Sequence, residues 1–417
     1  MADATTTLLT TADGRPLKAA LATAQSRAKR RAFFLVLPLL IFVLLSFLIP
    51  IGYMLKRSVE HDGFSSAAPN ISAWFAANPD VGTHDVPEAA FAALVKDLAQ
   101  MQTDRSSGMA GTRINYTVPG TISLFKAGAR EAASLTAPFK ESLLAQDPEW
   151  AEPRLWAAMR SASSPYTAEF YLVAADRKLT NDGWAQGGDK ERIYVYLFFK
   201  TFVVSGIITI LCLLLAFPVA HLLATLPMAK SALLMILVLL PFWTSLLVRT
   251  TAWIALLQEQ GVVNDMMVGI GLLGDDNRLT MMYNMTGTIV AMTHVLLPFM
   301  ILPLYSVMKT IPPSYARAAR SLGATSWTTF RRVYLPQTLP GIAAGSLLVF
   351  ILAVGYYITP ALVGGADGQL ISNLISFHMS KSNWSLAAAI AALLLAAILL
   401  LYWVYDRLVG IDRLKLG

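Results

Sequence analysis

Six long apolar runs are the feature that most constrains how this chain folds. A helix needs about 20 mainly apolar residues to cross the roughly 30 Å hydrocarbon core of a bilayer. The runs that meet this requirement are 33–55, 201–226, 231–248 (continuing past Arg249 to Leu257), 286–308, 333–366 and 386–405. The run 333–366 is uncharged over 34 residues, enough for one span and a further re-entrant or interfacial piece. The sequence therefore predicts an all-α membrane protein with six transmembrane helices.

Composition supports the same class. The chain is 55% hydrophobic and only 14% charged, with a mean hydropathy of +0.55, whereas soluble domains average about 25% charged residues. This excludes a soluble enzyme and a disordered scaffold. The single cysteine, Cys212, cannot form an intramolecular disulfide, which also excludes a disulfide-stapled secreted module.

The distribution of Lys and Arg predicts the orientation. With the N-terminus inside, the cytoplasmic segments are 1–32, 224–230, 309–335 and 406–417, which hold 15 basic and 4 acidic residues. Because cytoplasmic loops carry the excess of basic residues, both termini are predicted to be cytoplasmic. The net charge of +7 therefore reflects the orientation in the membrane and gives no reason to expect binding to nucleic acid. The run 33–55 exceeds the 7–15 residues of a signal core and is predicted to stay as an anchor after a cytoplasmic tail, 1–32.

Residues 56–200 form one large polar insertion, predicted to be an extracytoplasmic domain between the first two transmembrane helices. Apolar residues at helical spacing predict helices over 86–98, 148–159 and 166–175. The stretch 114–124 is instead interpreted as a short strand pair. The insertion is therefore expected to be mainly helical.

The loop 309–336, between the fourth and fifth runs, carries the most informative pattern. Pro312-Pro313 can open a helix, since the first-turn N–H groups have no intrahelical partner. Gly323 is placed to end that helix with a left-handed turn. Ser326 can cap a second short helix that stops at Leu335-Pro336. The pattern predicts a helix-turn-helix in the cytosol; the alternative is an amphipathic surface loop with snorkelling arginines.

The spacing in this loop resembles the "EAA" loop of ABC-importer permeases. Ala318-Ala319 is followed after three residues by Gly323, and after nine more by Val333-x-Leu335-Pro336. The resemblance implies that the loop 309–336, here named the coupling loop, docks on a cytoplasmic ATPase. The residues it assigns to coupling are Arg317, Ala318, Ala319, Gly323, Leu335 and Pro336. Arg317 is a departure, because the motif usually has an acid there.

The resemblance extends over a permease core, about 201–408. The segments 241–249, 296–305, 355–365 and 371–375 look like those of spermidine/putrescine-type permeases. This implies a type I importer fold in a bacterial inner membrane, a polyamine or related cation as solute, and no enzymatic activity or cofactor. The implied partners are an ATPase dimer, a second and different permease subunit, and an extracytoplasmic solute-binding protein, with no nucleic acid.

Five residues are candidates for the translocation pathway: Trp243, Arg249, Glu259, Tyr356 and Tyr357. The aromatic rings can offer π faces to a cationic amine, or belong to interfacial belts. Arg249 either snorkels to headgroups, lines the pathway, or pairs with Glu259 or Asp265.

No histidine, cysteine or acidic cluster has metal-ligand spacing, and His221 and His294 are interpreted as packed or hydrogen-bonded. The chain also lacks a G-x-x-x-x-G-K-[ST] phosphate loop, so the ATPase must be another chain.

Three other functions remain open from the sequence. An ion-coupled secondary transporter would need an acidic relay inside the membrane, and a receptor would need a cytoplasmic signalling domain. The third is an ABC permease for a non-polyamine solute, such as an amino acid derivative or an opine.

Overall fold

A computed structural model describes residues 17–180, 183–188 and 192–409. The chain divides into two compact units, Met1–Arg57 and Ser58–Gly417, and each is described by itself. Predictions about residues 1–16 and 410–417 lie outside the described residues.

The described part of the first unit, 17–57, is one long helix. It comprises α1 (Leu17–Val43), a π-helical turn (Leu44–Leu48) and α2 (Ile49–Arg57). The wide turn, in which the Ile49 N–H donates to the Leu44 carbonyl, ends two residues before Pro50. Proline has no N–H, and its ring clashes with the carbonyl four residues earlier in a regular helix. The π turn relieves that clash, and Leu21–Arg57 remains long and apolar enough to span a membrane.

The second unit begins with the insertion, which is mainly helical as predicted. Its helices are α3 (Pro69–Ala77), α4 (Glu88–Asp104), α5 (Ser107–Asn115), α6 (Thr121–Glu131), α7 (Phe139–Gln146), α8 (Pro153–Ala162) and α9 (Glu169–Ala174). Short 3₁₀ helices lie at Ala132–Ser134 and Pro148–Ala151. The fold is not strictly all-α, because β1 (Arg177–Thr180) and β2 (Gly183–Gln186) form an antiparallel hairpin.

The predicted strand pair at 114–124 is wrong. This stretch contains the end of α5 and the start of α6, joined by a turn in which Gly120 has φ +96°. The two helices approach closely at Gly111, where an added Cβ would lie 2.9 Å from the Ile122 Cα. The alternating apolar residues therefore belong to two packed helices.

The helix predicted over 148–159 is in two pieces. Glu152 has an extended backbone and separates the 3₁₀ turn Pro148–Ala151 from α8. Pro153 at the first turn favours a new helix start there.

Aromatic and aliphatic side chains fill the core of the insertion. Trp150 and Trp156 are buried, and the Trp156 indole donates to the Trp150 carbonyl (2.8 Å). A second cluster joins the insertion to the long apolar helices, with Phe170 of α9 packing among Leu386 and Ile390. The insertion is therefore attached to the rest of this unit through α9 as well as through the chain.

The remainder of the second unit consists of long helices and short connecting ones. They are α10 (Tyr194–Thr225), α11 (Met228–Trp243), α12 (Leu246–Leu257), α13 (Val262–Gly269), α14 (Met285–Thr310), α15 (Pro313–Ser321), α16 (Ser326–Thr329), α17 (Leu335–Gly355), α18 (Ile358–Val363), α19 (Ile371–Ser380) and α20 (Trp384–Val409). A 3₁₀ turn lies at Asp275–Asn277 and a π turn at Phe330–Tyr334. Within the described residues of the whole chain, five helices could cross a membrane, or up to six if one bent pair is a single span.

The run 231–257, expected to be continuous, is broken. Helix α11 ends at Trp243, and the next helical stretch leaves at a bend of 98°. Thr244 and Ser245 are extended, and the Ser245 hydroxyl accepts from the Val248 N–H (3.2 Å) as the N-cap of α12. Serine favours caps because its side chain competes with the helical backbone for hydrogen bonds.

The 333–366 run forms a span helix followed by a short one, as its length suggested. Helix α17 packs tightly on α14 through two glycines one turn apart. A Cβ at Gly341 would lie 3.1 Å from the Pro303 carbonyl oxygen, and one at Gly345 would lie 2.7 Å from the Met300 sulfur. Small residues at this spacing let helix backbones approach where apolar lipid supplies little driving force for packing.

Candidate functional site

The coupling loop begins as the sequence predicted. Helix α15 has proline in its first turn and ends in a left-handed Gly323 with φ +88°. The Gly323 N–H donates to the Arg320 carbonyl (2.9 Å), and the Ala324 N–H donates to the Ala319 carbonyl (3.0 Å). These two bonds form a Schellman motif, which satisfies carbonyls that the helix end leaves free.

The second half of the loop differs from the prediction in two ways. Thr325, and not Ser326, caps α16, because its hydroxyl accepts from the Thr328 N–H (3.2 Å). The helix also does not stop at Leu335-Pro336 but continues through the π turn, giving one helix over Ser326–Gly355. The Leu335 N–H donates to the Phe330 carbonyl, and the wider turn accommodates Pro336 as it does Pro50.

A cavity of about 580 Å³ lies beside the coupling loop. Its walls come from the ends of α10 and α14, from α15, and from residues 333–337. The His221 Nδ1 lies 2.9 Å from the Tyr334 hydroxyl, so His221 is hydrogen-bonded as interpreted. Sequence reasoning did not find this pair, because 113 residues separate its members.

Apolar side chains project from the turn of the coupling loop. Leu322 is 89% exposed and Trp327 is 68% exposed, although the Trp327 ring stacks on Phe330 with centroids 5.7 Å apart. Ala318 is exposed and Ala319 is partly exposed, so small side chains leave the α15 backbone open to close approach. This surface has the apolar character of a protein contact.

A second group of polar side chains joins α12, α14 and the end of α17. This Arg249 cluster consists of Arg249, Trp253, His294 and Tyr356. The Trp253 indole donates to the His294 Nδ1 (3.1 Å), which leaves the ring proton of a neutral His294 on Nε2. The charge of Arg249 acts on both His294 and Tyr356, and its buried Nε has no hydrogen-bond partner among the described residues.

The pairing considered between Arg249 and Asp265 is wrong. Asp265 instead accepts from the Arg278 guanidinium (2.7 Å), which also donates to Asp275. Both hydrogen bonds raise the pKa of Arg278. Glu259 has an exposed side chain, and its backbone carbonyl is the group that Arg278 contacts (3.0 Å).

The pathway candidates therefore do not form one site. Tyr356 joins Arg249, but Trp243 is 85% exposed at the end of α11 and Glu259 lies in an exposed loop. Tyr357 is 43% exposed, and its carbonyl accepts from the Asn373 amide (2.8 Å). His294 is hydrogen-bonded as interpreted, but its partner Trp253 was not predicted, because nothing local links residues 41 positions apart.

The described residues contain no group of three or more His, Cys, Asp or Glu side chains that could hold a metal ion. The long apolar helices of the described residues also carry few acids. Among Leu21–Arg57, α10, α11, α12, α14, Ser326–Gly355 and α20, the one acidic residue is Asp406. The arrangement offers hydrogen bonds, π faces and one guanidinium, but no catalytic acid–base pair.

The described residues contain several helices long and apolar enough to cross a membrane, which is the class of a multi-pass membrane protein. A family model described as "Binding-protein-dependent transport system inner membrane component" matches residues 193–410. The chain belongs to this family: it is a permease subunit of an ABC importer, multi-pass in the inner membrane, and not an enzyme. The resemblance inferred from the sequence is thereby confirmed.

Individual relatives agree with this assignment. The spermidine/putrescine transport system permease protein PotB of Haemophilus influenzae is 37% identical over 216 residues, covering 52% of this chain and 75% of the relative. PotB of Escherichia coli K12 is 34% identical over 222 residues, covering 52% and 80%. The sulfate transport system permease protein CysT of E. coli K12 is 32% identical over 129 residues, covering 30% and 47%.

Among solved structures, a bacterial ABC transporter involved in the import of the acidic polysaccharide alginate is similar with a TM-score of 0.46 and 18% identity. The similarity covers 53% of this chain and 80% of that one.

Proposed function

We propose that this chain forms half of the translocation pathway of an ATP-driven importer. A second, different permease subunit would supply the other half, and a cytoplasmic ATPase dimer would dock on the coupling loop. The observation that supports docking is the Schellman-capped helix α15 with exposed Leu322 and Trp327 beside it. In the docking surface we include Arg317, Ala318, Ala319, Gly323, Leu335 and Pro336.

The proposed topology has six crossings, with the bent pair α11–α12 counted as one. Residues 1–32 form a cytoplasmic tail, 33–55 the first span, 56–200 an extracytoplasmic domain, and 201–408 the permease core with five spans. The charge distribution supports this arrangement, with 15 basic against 4 acidic residues in the proposed cytoplasmic segments. Both termini are then cytoplasmic, and the insertion faces an extracytoplasmic solute-binding protein.

Cysteine labelling tests the orientation. The one native thiol, Cys212, is buried and so should contribute little background. Ala133→Cys in the insertion and Ser326→Cys in the coupling loop are both at exposed positions. We expect a membrane-impermeant maleimide to label the first variant in spheroplasts and the second only after the membrane is permeabilised. The reverse pattern would invert the topology, and labelling of both in intact spheroplasts would contradict the proposed number of crossings.

A polyamine or a related small cation is the proposed solute. The supporting observation is that the relatives with 34–37% identity are named spermidine/putrescine permeases. Since carboxylates are nearly absent from the described span helices, this chain would bind a cation mainly through aromatic faces such as those of Trp243, Tyr356 and Tyr357. The binding protein and the second permease subunit would then contribute the remaining selectivity.

Calorimetry on the cognate binding protein tests the solute directly. The binding protein would be identified by co-purification with the importer and titrated with spermidine and with putrescine. We expect saturable binding of at least one of them, with no comparable heat from sulfate or a neutral sugar. Binding of an anion or a sugar in place of the polyamines would remove the polyamine proposal and leave the permease assignment intact.

A further inference from the structure

The cavity beside the coupling loop has a strongly basic lining. Lys309, Arg317 and Arg320 all line it, together with His221. The lining residues include no Asp or Glu. Three cationic side chains therefore line the cavity without an acidic side chain to balance them. Their like charges repel each other.

The two arginines have no partner within the part of the chain that the structure describes. Neither guanidinium takes part in a salt bridge or a side-chain hydrogen bond, and both side chains are exposed. They lie three residues apart on α15, where two like charges slightly destabilise a helix. Lys309 is only partly satisfied, by the Ala224 carbonyl at 3.3 Å. The arrangement costs stability in the isolated chain, and an anionic group in the cavity would remove that cost.

We propose that an acidic side chain of the cytoplasmic ATPase enters this cavity and pairs with Arg317. This rests on the proposed docking of the ATPase on the coupling loop and adds the chemistry of recognition. A guanidinium presents a planar fork that binds a carboxylate through two parallel hydrogen bonds. The exposed Leu322 and Trp327 supply apolar contact on the same loop, so a protein surface fits the site better than a lone anion does.

Charge reversal in the assembled importer tests this proposal. The test variant is Arg317→Glu, and the matched control is Lys230→Glu, an exposed cation at the start of α11 that does not line the cavity. We expect Arg317→Glu to weaken binding of the purified ATPase to the permease pair by at least about tenfold, as for other hydrogen-bonded interfacial charges. Lys230→Glu should change it by less than about twofold, since an exposed charge outside a contact contributes little.

A compensating substitution in the ATPase identifies the acidic group that pairs with Arg317. Each Asp and Glu of the ATPase is changed singly to Arg in the presence of Arg317→Glu. One such change should restore ATPase binding, and the same change should weaken binding to the wild-type permease. If none restores binding, or if the two permease variants weaken it equally, the proposal is overturned.

The lipid environment separates the two sources of an anionic group. Binding is measured in nanodiscs of phosphatidylcholine alone and of phosphatidylcholine with phosphatidylglycerol. A carboxylate partner predicts the same loss for Arg317→Glu in both, whereas a loss seen only with phosphatidylglycerol would assign the cavity to a lipid headgroup and overturn the proposal. If the ATPase fails to bind even the wild-type permease pair, the proposed docking on the coupling loop fails, and that outcome is distinct from failure of Arg317 alone.

Discussion

Replacing Gly323 by proline is expected to abolish solute uptake while the protein still inserts in the membrane. Gly323 has φ +88°, and proline is restricted to about −65°, so the turn between α15 and α16 cannot form. Proline also removes the N–H that donates to the Arg320 carbonyl at the helix end. The turn sets the angle between α15 and the membrane-spanning helix that follows it. ATP hydrolysis should therefore become independent of solute, measured as uptake and ATPase activity in proteoliposomes.

Gly323→Ala separates backbone strain from steric crowding. An added Cβ at this position meets nothing within 4 Å. The alanine variant should therefore lose only the cost of holding a Cβ-bearing residue in the left-handed conformation, about 1–2 kcal/mol. An intermediate loss of uptake is expected.

Gly274→Pro is the control for proline itself. Gly274 has φ −78°, which proline adopts, and its position is also open. This variant should transport normally. If the Gly323→Pro variant took up solute at the wild-type rate, the proposed coupling role of this loop would be wrong.

The second large effect is expected at a buried ion pair in the insertion. The Arg113 and Glu169 side chains are 1% and 3% exposed, and their charged atoms lie 2.6 Å apart. Thr117 and Ser161 also donate to Glu169, and the guanidinium lies over the Phe170 ring at 5.1 Å. Glu169 and Phe170 begin α9, so the pair supports the helix that joins the insertion to α20.

Arg113→Met should destabilise this region strongly, because it leaves the Glu169 carboxylate buried without its countercharge. Breaking a buried pair in this way costs about 3–5 kcal/mol, or roughly 10 °C in the thermal midpoint of a domain the size of the insertion, 56–200. Tryptophan fluorescence reports the transition, since Trp150 and Trp156 are buried in the same core. The measurement is a thermal scan of the full chain in detergent.

Two further variants distinguish a charge effect from lost packing. Arg113→Met combined with Glu169→Leu should recover much of the midpoint, because no unpaired charge stays buried. Asp85→Asn removes one member of an exposed pair, whose Asp85 side chain is 95% exposed, and should leave the midpoint nearly unchanged. If the double variant were no more stable than Arg113→Met, packing and not charge would explain the loss.

Features with a local physical cause were predictable from the sequence. Five of the six apolar runs contain a single helix long enough to cross a membrane, because bilayer thickness sets the length of a span. The left-handed turn at Gly323 follows from one residue's backbone freedom, which no tertiary contact needs to supply. The π turns were not predicted, although each precedes a proline that was visible in the sequence.

Features that depend on distant or competing contacts were not predictable. The strand pair predicted at 114–124 was wrong because its alternating apolar residues belong to two helices that pack closely at Gly111. The Trp253–His294 hydrogen bond and the Asp265–Arg278 pair depend on which helices and loops meet. A sequence reading of Arg249 could name its possible partners but could not choose among them.

The sequence by itself determined the long apolar helices and the helix that ends at a left-handed Gly323, because hydropathy, proline and glycine act through short-range physics. The resemblance of its motifs to a known family, and not this physics, gave the permease assignment. Tertiary structure decided that the third apolar run bends by 98° at Thr244–Ser245. It also decided that three cations of the coupling loop, Lys309, Arg317 and Arg320, line a cavity with no acid in its lining. A serine can cap a new helix or continue an existing one, and the surrounding fold decides between the two. A charged cavity exists only where separate helices meet.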